Sequence, residues 1–167
     1  FNPKYFHKKG ALAAARQGGP SNPGKRSSSS QYYIVHGEVF TNGKLDTMEM
    51  IMNNNLKKEL FNKKFQEATP EINKCRENND ETGFNMILAE LREEVDSLFD
   101  AGLMKQFTAE QRQIYSTIGG YPSLDGDYTV FGEVIEGLDV LDKIAGVEVD
   151  KNNRPLVDVK MKVEMVK

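Results

Sequence analysis

The chain has 167 residues, a net charge of −3 and a single cysteine, which is enough for one ordinary domain, or a domain with a subdomain, around a real core. The slight negative charge excludes a global basic field that recruits nucleic acid or anionic lipid. The lone Cys75 excludes an intrachain disulfide and a cysteine-rich zinc site.

Taken in chain order, the sequence opens at Phe1 in mid-phrase, Phe-Asn-Pro-Lys-Tyr-Phe, without an initiator Met. That is the pattern of a piece of a longer chain, in which case a targeting segment lies outside it and the compartment, periplasmic or cytoplasmic, is not read from it. No apolar run approaches the ~20 residues that span a bilayer. Gly10-Ala-Leu-Ala-Ala-Ala15 fits a short helix by propensity or a strand, and a turn-rich Gly-Pro-Ser-Asn-Pro-Gly run follows it. Gln31-Tyr-Tyr-Ile-Val35 is aromatic and β-branched and is predicted to be a strand.

From residue 41 the period changes. Leu45, Met48, Ile51, Met52, Leu56 and Leu60 recur at helical spacing. Thr69-Pro70-Glu71 offers an N-cap, a proline for the first helical position and an acid in the first turn, so a new helix starts or a long one kinks. Phe84, Ile87, Leu88, Leu91, Val95, Leu98 and Phe99 form the clearest amphipathic helix, with Gly102 placed to end it. Thr108-Ala-Glu-Gln111 is a capping box for a short helix through Ile114. The last zone returns to β character, with a strand over Thr129–Ile135, a short helix from Leu138 to Ala145 and Gly146 at its end. Val157, Val159, Met161, Val163 and Met165 alternate with charged residues, which predicts a half-buried antiparallel strand.

Few positions carry obvious chemistry. Gly19-Pro-Ser-Asn-Pro-Gly24-Lys25 fits the start of a phosphate-binding loop, but Arg26 stands where magnesium coordination needs Ser or Thr, and the loop leads toward a strand instead of a helix. His7 and His36, the only histidines, have no second ligand at metal spacing and read as solvated or locally hydrogen-bonded rings. Asp125-Gly126-Asp127 lacks the remaining acids of a calcium loop and reads as a tight turn between two strands. No nucleophile, metal cluster or cofactor loop emerges. Rotation about an X–Pro bond is a reaction compatible with that absence. Its barrier of ~20 kcal/mol comes from amide resonance, and an apolar pocket with a donor that favours a pyramidal nitrogen lowers it without an acid–base pair.

Two ordered blocks carry a family resemblance. Gly10-Ala-Leu-Ala-Ala-Ala15 followed by Ser30-Gln31-Tyr32-Tyr33-Ile34 resembles the cyclophilin pattern G-x-L-x-x-A…N-x-x-G-S-Q-F-F-I. Leu124-Asp-Gly-Asp-Tyr-Thr-Val-Phe-Gly-Glu-Val134, extended by Glu136-Gly-Leu-Asp-Val140, resembles L-D-G-x-x-x-V-F-G-x-V and E-G-[ML]-[DN]-V. The resemblance places the cyclophilin-like barrel portion at residues 1–40 and 119–167. It makes 41–118 a helical insertion subdomain of a kind found in cyclophilins of Bacteroidetes-type bacteria. It implies a mixed β and α fold, an eight-stranded antiparallel barrel that is incomplete in this chain.

The implied activity is peptidyl-prolyl cis–trans isomerisation in protein folding, with no cofactor or metal and with proline-containing peptides or unfolded clients as partners. Carried over residue by residue, Gln31 hydrogen-bonds the substrate backbone, Tyr33 helps floor the proline pocket where the family usually has Phe, and Leu124 walls it. The backbone around Ala15 and Arg16 pairs with an extended peptide. Tyr128 stands where many members have His, and Ser123 where cyclosporin-sensitive members have Trp, which implies weak cyclosporin binding. The family's catalytic arginine sits in an F-H-R block upstream of everything present here, with an F-M-x-Q-G-D block; neither occurs in this sequence, and Phe6-His7-Lys8 is only an echo. The expectation is therefore an isomerase family with a weak or inactive chain, and open barrel edges that favour self-association. The alternative is a non-catalytic module that binds proline peptides or docks a partner.

Overall fold

A computed structural model of the chain describes residue 2 and residues 4–165. It contains two compact units, Phe1–Phe40 with Gln113–Lys167, and Thr41–Arg112.

In the first unit, β1 (Ala11–Arg16), β2 (Ser27–Ile34) and β3 (Thr129–Glu133) form an antiparallel sheet in the order β2-β1-β3. The helix-or-strand ambiguity at residues 10–15 resolves to strand because β1 has a partner on each side, and that pairing outweighs the helical preference of alanine. Ala11 and Ala13 are buried, as the alternation of a central strand requires. A short helix, α5 (Leu138–Ala145), closes with Gly146 donating its N–H to Asp142 O at 2.9 Å, as expected from the sequence.

Three segments meet beside the sheet. Lys9 N–H donates to Gly119 O (2.9 Å), Tyr121 N–H to His7 O (2.8 Å), and Glu38 and Gly120 exchange two bonds of 3.0 Å. A Cβ on Gly120 would lie 2.3 Å from His7 O and 2.6 Å from the Tyr115 ring, so only glycine admits this approach. Phe6 and Phe40 present their rings edge-on to the buried Tyr115, at 5.5 and 6.5 Å between centroids.

The second unit is helical. Helices α1 (Asn42–Glu67), α2 (Thr69–Glu77) and α3 (Glu81–Leu98) pack on one another and bury Leu45, Ile72, Leu91 and Val95; a π turn at Phe99–Leu103 follows. Of the α1 stripe expected from the sequence, Leu45 is fully buried while Ile51 is half exposed. Thr69 is not an N-cap: Ala68 holds that position, and the Thr69 hydroxyl donates back to Phe65 O at 3.1 Å. Pro70 sits in the first turn of α2, where its missing N–H has no intrahelical partner to lose. Helix α4 (Ala109–Thr117) starts at the expected capping box, with Gln111 N–H on Thr108 Oγ1 (3.1 Å) and Thr108 N–H on Gln111 Oε1 (2.9 Å). It runs three residues past Ile114.

Two expectations require correction. Residues 156–165 form no strand, and Val157, Met161, Val163 and Met165 are 80–94% exposed. Alternation assigns two faces to a segment, but a ladder also needs a neighbouring edge, and neither β2 nor β3 pairs with it. The described residues likewise form an open three-stranded sheet, not a barrel, because closure needs more strands than they supply. No described helix is long and apolar enough to cross a membrane.

Candidate functional site

The site is built on the first unit, around a turn. Leu124 O accepts from Asp127 N–H at 3.1 Å, with Asp125 extended (φ −65°, ψ 129°) and Gly126 at φ 78°. This is a type II turn, and its third position favours glycine. The tight turn expected at Asp125–Asp127 is present, but it follows a 3-10 turn at Pro122–Leu124 instead of a strand.

The turn aims the Asp125 carboxylate inward, where it organises three groups. Its Oδ1 accepts from the His7 backbone N–H and from His7 Nδ1, both at 2.8 Å, and its Oδ2 accepts from the Tyr115 hydroxyl at 2.5 Å. His7 is therefore not solvated; it is 1% exposed, held by a carboxylate 118 residues away. On its other side, His7 Nε2 lies 3.1 Å from the Tyr33 hydroxyl, and the two rings are near-parallel at 6.2 Å. Tyr128 packs edge-on to Tyr33 at 5.9 Å, and Arg16 lies over the Tyr128 ring at 4.6 Å while its Nε donates to Asp127 O at 2.8 Å. Lys25 pairs with Asp127.

Burial, with the Tyr128 and Asp125 charges added, pushes the Tyr33 hydroxyl up to about 12. Burial, reinforced by Asp125, also drives the Tyr115 hydroxyl well above its usual range. Both phenols therefore stay protonated as hydrogen-bond donors at neutral pH. His36 is half exposed and contacts Asp142 at 3.1 Å; hydrogen bonding from Lys9 first, offset by some desolvation, holds that carboxyl below its usual range.

Of the residues carried over by resemblance, Arg16, Tyr33 and Tyr128 come together, and Tyr128 N–H donates to Leu124 O at 3.2 Å in the same turn. Gln31 is exposed on β2, two residues from Tyr33 and so on the same face of the strand. Ala15 falls in the register shift between Ala14 and Arg16. Strand β1 is the central strand, and its pairing with β3 runs from Ala11 to Ala14, so a free backbone edge for an added peptide is confined to its last residues. His7 and Asp125 stand out in the sequence only as a locally bonded ring and a turn, and Tyr115 not at all; no local signal joins the three, since the carboxylate's partners lie 10 and 118 residues away.

The profile of the family described as cyclophilin type peptidyl-prolyl cis-trans isomerase/CLD matches residues 65–165. The chain belongs to this family. The match takes in the Leu124–Val134 block, whereas residues 1–40 lie outside it. Peptidyl-prolyl cis-trans isomerase-like 3 of Homo sapiens is 49% identical over 51 residues, 30% of this chain and 32% of that protein. Peptidyl-prolyl cis-trans isomerase CYP18-2 of Arabidopsis thaliana is 39% identical over 49 residues, 29% and 30% of the two chains. Peptidyl-prolyl cis-trans isomerase-like 2 of Rhizopus delemar is 46% identical over 50 residues, 30% of this chain and 9% of that protein. The chain thus spans a third or less of the length of these curated relatives. No solved structure matches it.

Proposed function

We propose that this chain forms the proline-recognition part of a peptidyl-prolyl isomerase, and that the face carrying Gln31, Tyr33, Leu124 and Tyr128 receives the X–Pro unit. The observation that carries the reading is the convergence of Tyr33, Tyr128 and Arg16 beside a turn that lies inside the family match. Two tyrosine rings offer apolar area for a pyrrolidine, and an exposed Gln31 amide two residues away can hydrogen-bond peptide backbone. The residues between 41 and 118 are the insertion of this scheme, and the sheet is a portion of the family's barrel.

Rotation of the X–Pro bond needs an apolar seat and a donor near the imide nitrogen. The F-H-R block in which the resemblance places the family's arginine does not occur in this sequence, so the reading expects slow turnover by this chain. Titration of the 15N-labelled chain with an Ala-Pro peptide tests the reading. Perturbed amides should cluster on β2 and residues 123–128, and Gln31→Ala and Tyr33→Ala should each weaken binding about tenfold, the equivalent of losing one well-made contact. Perturbation confined to the helical unit would overturn it. Exchange cross-peaks between cis and trans peptide mark catalysis; binding without them marks a proline-peptide binding module.

A further inference from the structure

We propose that His7 is the positioning residue for Tyr33: held by Asp125, its imidazole pins the tyrosine hydroxyl and so fixes the ring that floors the pocket. The inference rests on the reading of Tyr33 given above, but its geometry stands apart from any peptide.

An ionised carboxylate only accepts hydrogen bonds. Asp125 Oδ1 sits 2.8 Å from His7 Nδ1, so Nδ1 carries the proton and, in the neutral ring, Nε2 is left with a lone pair. The Tyr33 hydroxyl at 3.1 Å therefore donates to Nε2. The imidazole is anchored at both ring nitrogens, and its main chain is held as well: the backbone N–H is bound to the same Oδ1, and the carbonyl accepts from Tyr121 N–H at 2.8 Å. The relay Tyr33 O–H to Nε2, then Nδ1–H to Asp125, with Tyr115 O–H on the second carboxylate oxygen, ties three aromatic side chains to one turn. Among the described residues, the charged and titratable groups facing it are Asp125, Tyr33, Tyr115 and Tyr128, with Arg16 over the Tyr128 ring. A phenylalanine at position 33 would have no use for Nε2. A tyrosine there needs an acceptor, and His7 supplies it from within the core.

Two measurements on the full chain test the assignment. In 15N NMR of the imidazoles, with His36 resonances identified from His36→Asn, His7 should show a protonated Nδ1 and an unprotonated, hydrogen-bonded Nε2. Tyr33→Phe should move Nε2 and leave Nδ1 in place. A proton on Nε2, or no response to Tyr33→Phe, overturns the proposal. In Ala-Pro peptide binding, His7→Phe should weaken affinity about fivefold, and His7→Gln, which retains an acceptor at that end, should restore most of it. In a Tyr33→Phe background, His7→Phe should cost no more than His7→Gln, because the two residues act as one unit. Equal losses for Gln and Phe at position 7 in the wild-type background, or full additivity with Tyr33→Phe, overturn it. Should His7→Phe fail to fold, the comparison of His7→Gln with Tyr33→Phe and the imidazole spectra still decides. A Tyr33-dependent Nε2 in a chain that binds no peptide supports the positioning role and removes the proline-pocket reading instead.

Discussion

Asp125 shows how much one carboxylate can hold. It accepts three hydrogen bonds from two buried residues, and its side chain is 15% exposed. Asp125→Ala removes the carboxylate on which the His7 N–H groups and the Tyr115 hydroxyl converge. Each buried donor left unmade costs about 1–3 kcal/mol, so the variant should lose about 3 kcal/mol or more. Asp125→Asn keeps an acceptor for His7 and presents an N–H₂ to the Tyr115 oxygen, so its loss should be about 1 kcal/mol. Urea unfolding followed by tyrosine fluorescence compares them. A cost for Ala as small as that for Asn would show that the network carries little stability.

At the scale of elements, the helical unit depends on a few buried positions. Ile72 is 1% exposed and Ile51 is 51% exposed, though both lie on helices. Ile72→Ala should cost about 2–4 kcal/mol, whereas Ile51→Ala, which empties no core space, should cost under about 1 kcal/mol. Denaturation monitored by helical circular dichroism reads the difference, and equal costs would mean that Ile72 is not a core residue. Elements whose signals are local were the ones that could be read from sequence. The capping box at Thr108–Gln111 and Gly146 after α5 each act within one helical turn, and the α3 stripe repeats at helical spacing along a single helix. Where the deciding partner is remote, the sequence under-determines the answer. Residues 11–16 are a strand only because β2 and β3 flank them, and residues 156–165 carry a strand pattern with no edge to join. The site follows the same division. Tyr33 and Tyr128 were reachable through motif resemblance, while the His7–Asp125 contact was invisible because 118 residues separate its ends.

For the whole molecule, the consequence of an open sheet is association. Strands β2 and β3 each present an outer edge unpaired among the described residues. Within β3, Phe131 is 59% exposed, Ile135 just past it is 88% exposed, and elsewhere in the chain Val157, Met161 and Val163 are also largely exposed. Unpaired edges next to apolar side chains template pairing with a second chain, because the ladder supplies hydrogen bonds and the side chains supply burial. Light scattering coupled to size-exclusion chromatography should show a mass above the 18.8 kDa of one chain, rising with loading concentration. Introducing charge at Met161 and Val163, as M161K with V163K, should lower that mass if residues 156–165 form the contact, since charges on an edge oppose strand addition. A constant 18.8 kDa at every loading would mean that the exposed edges do not drive association.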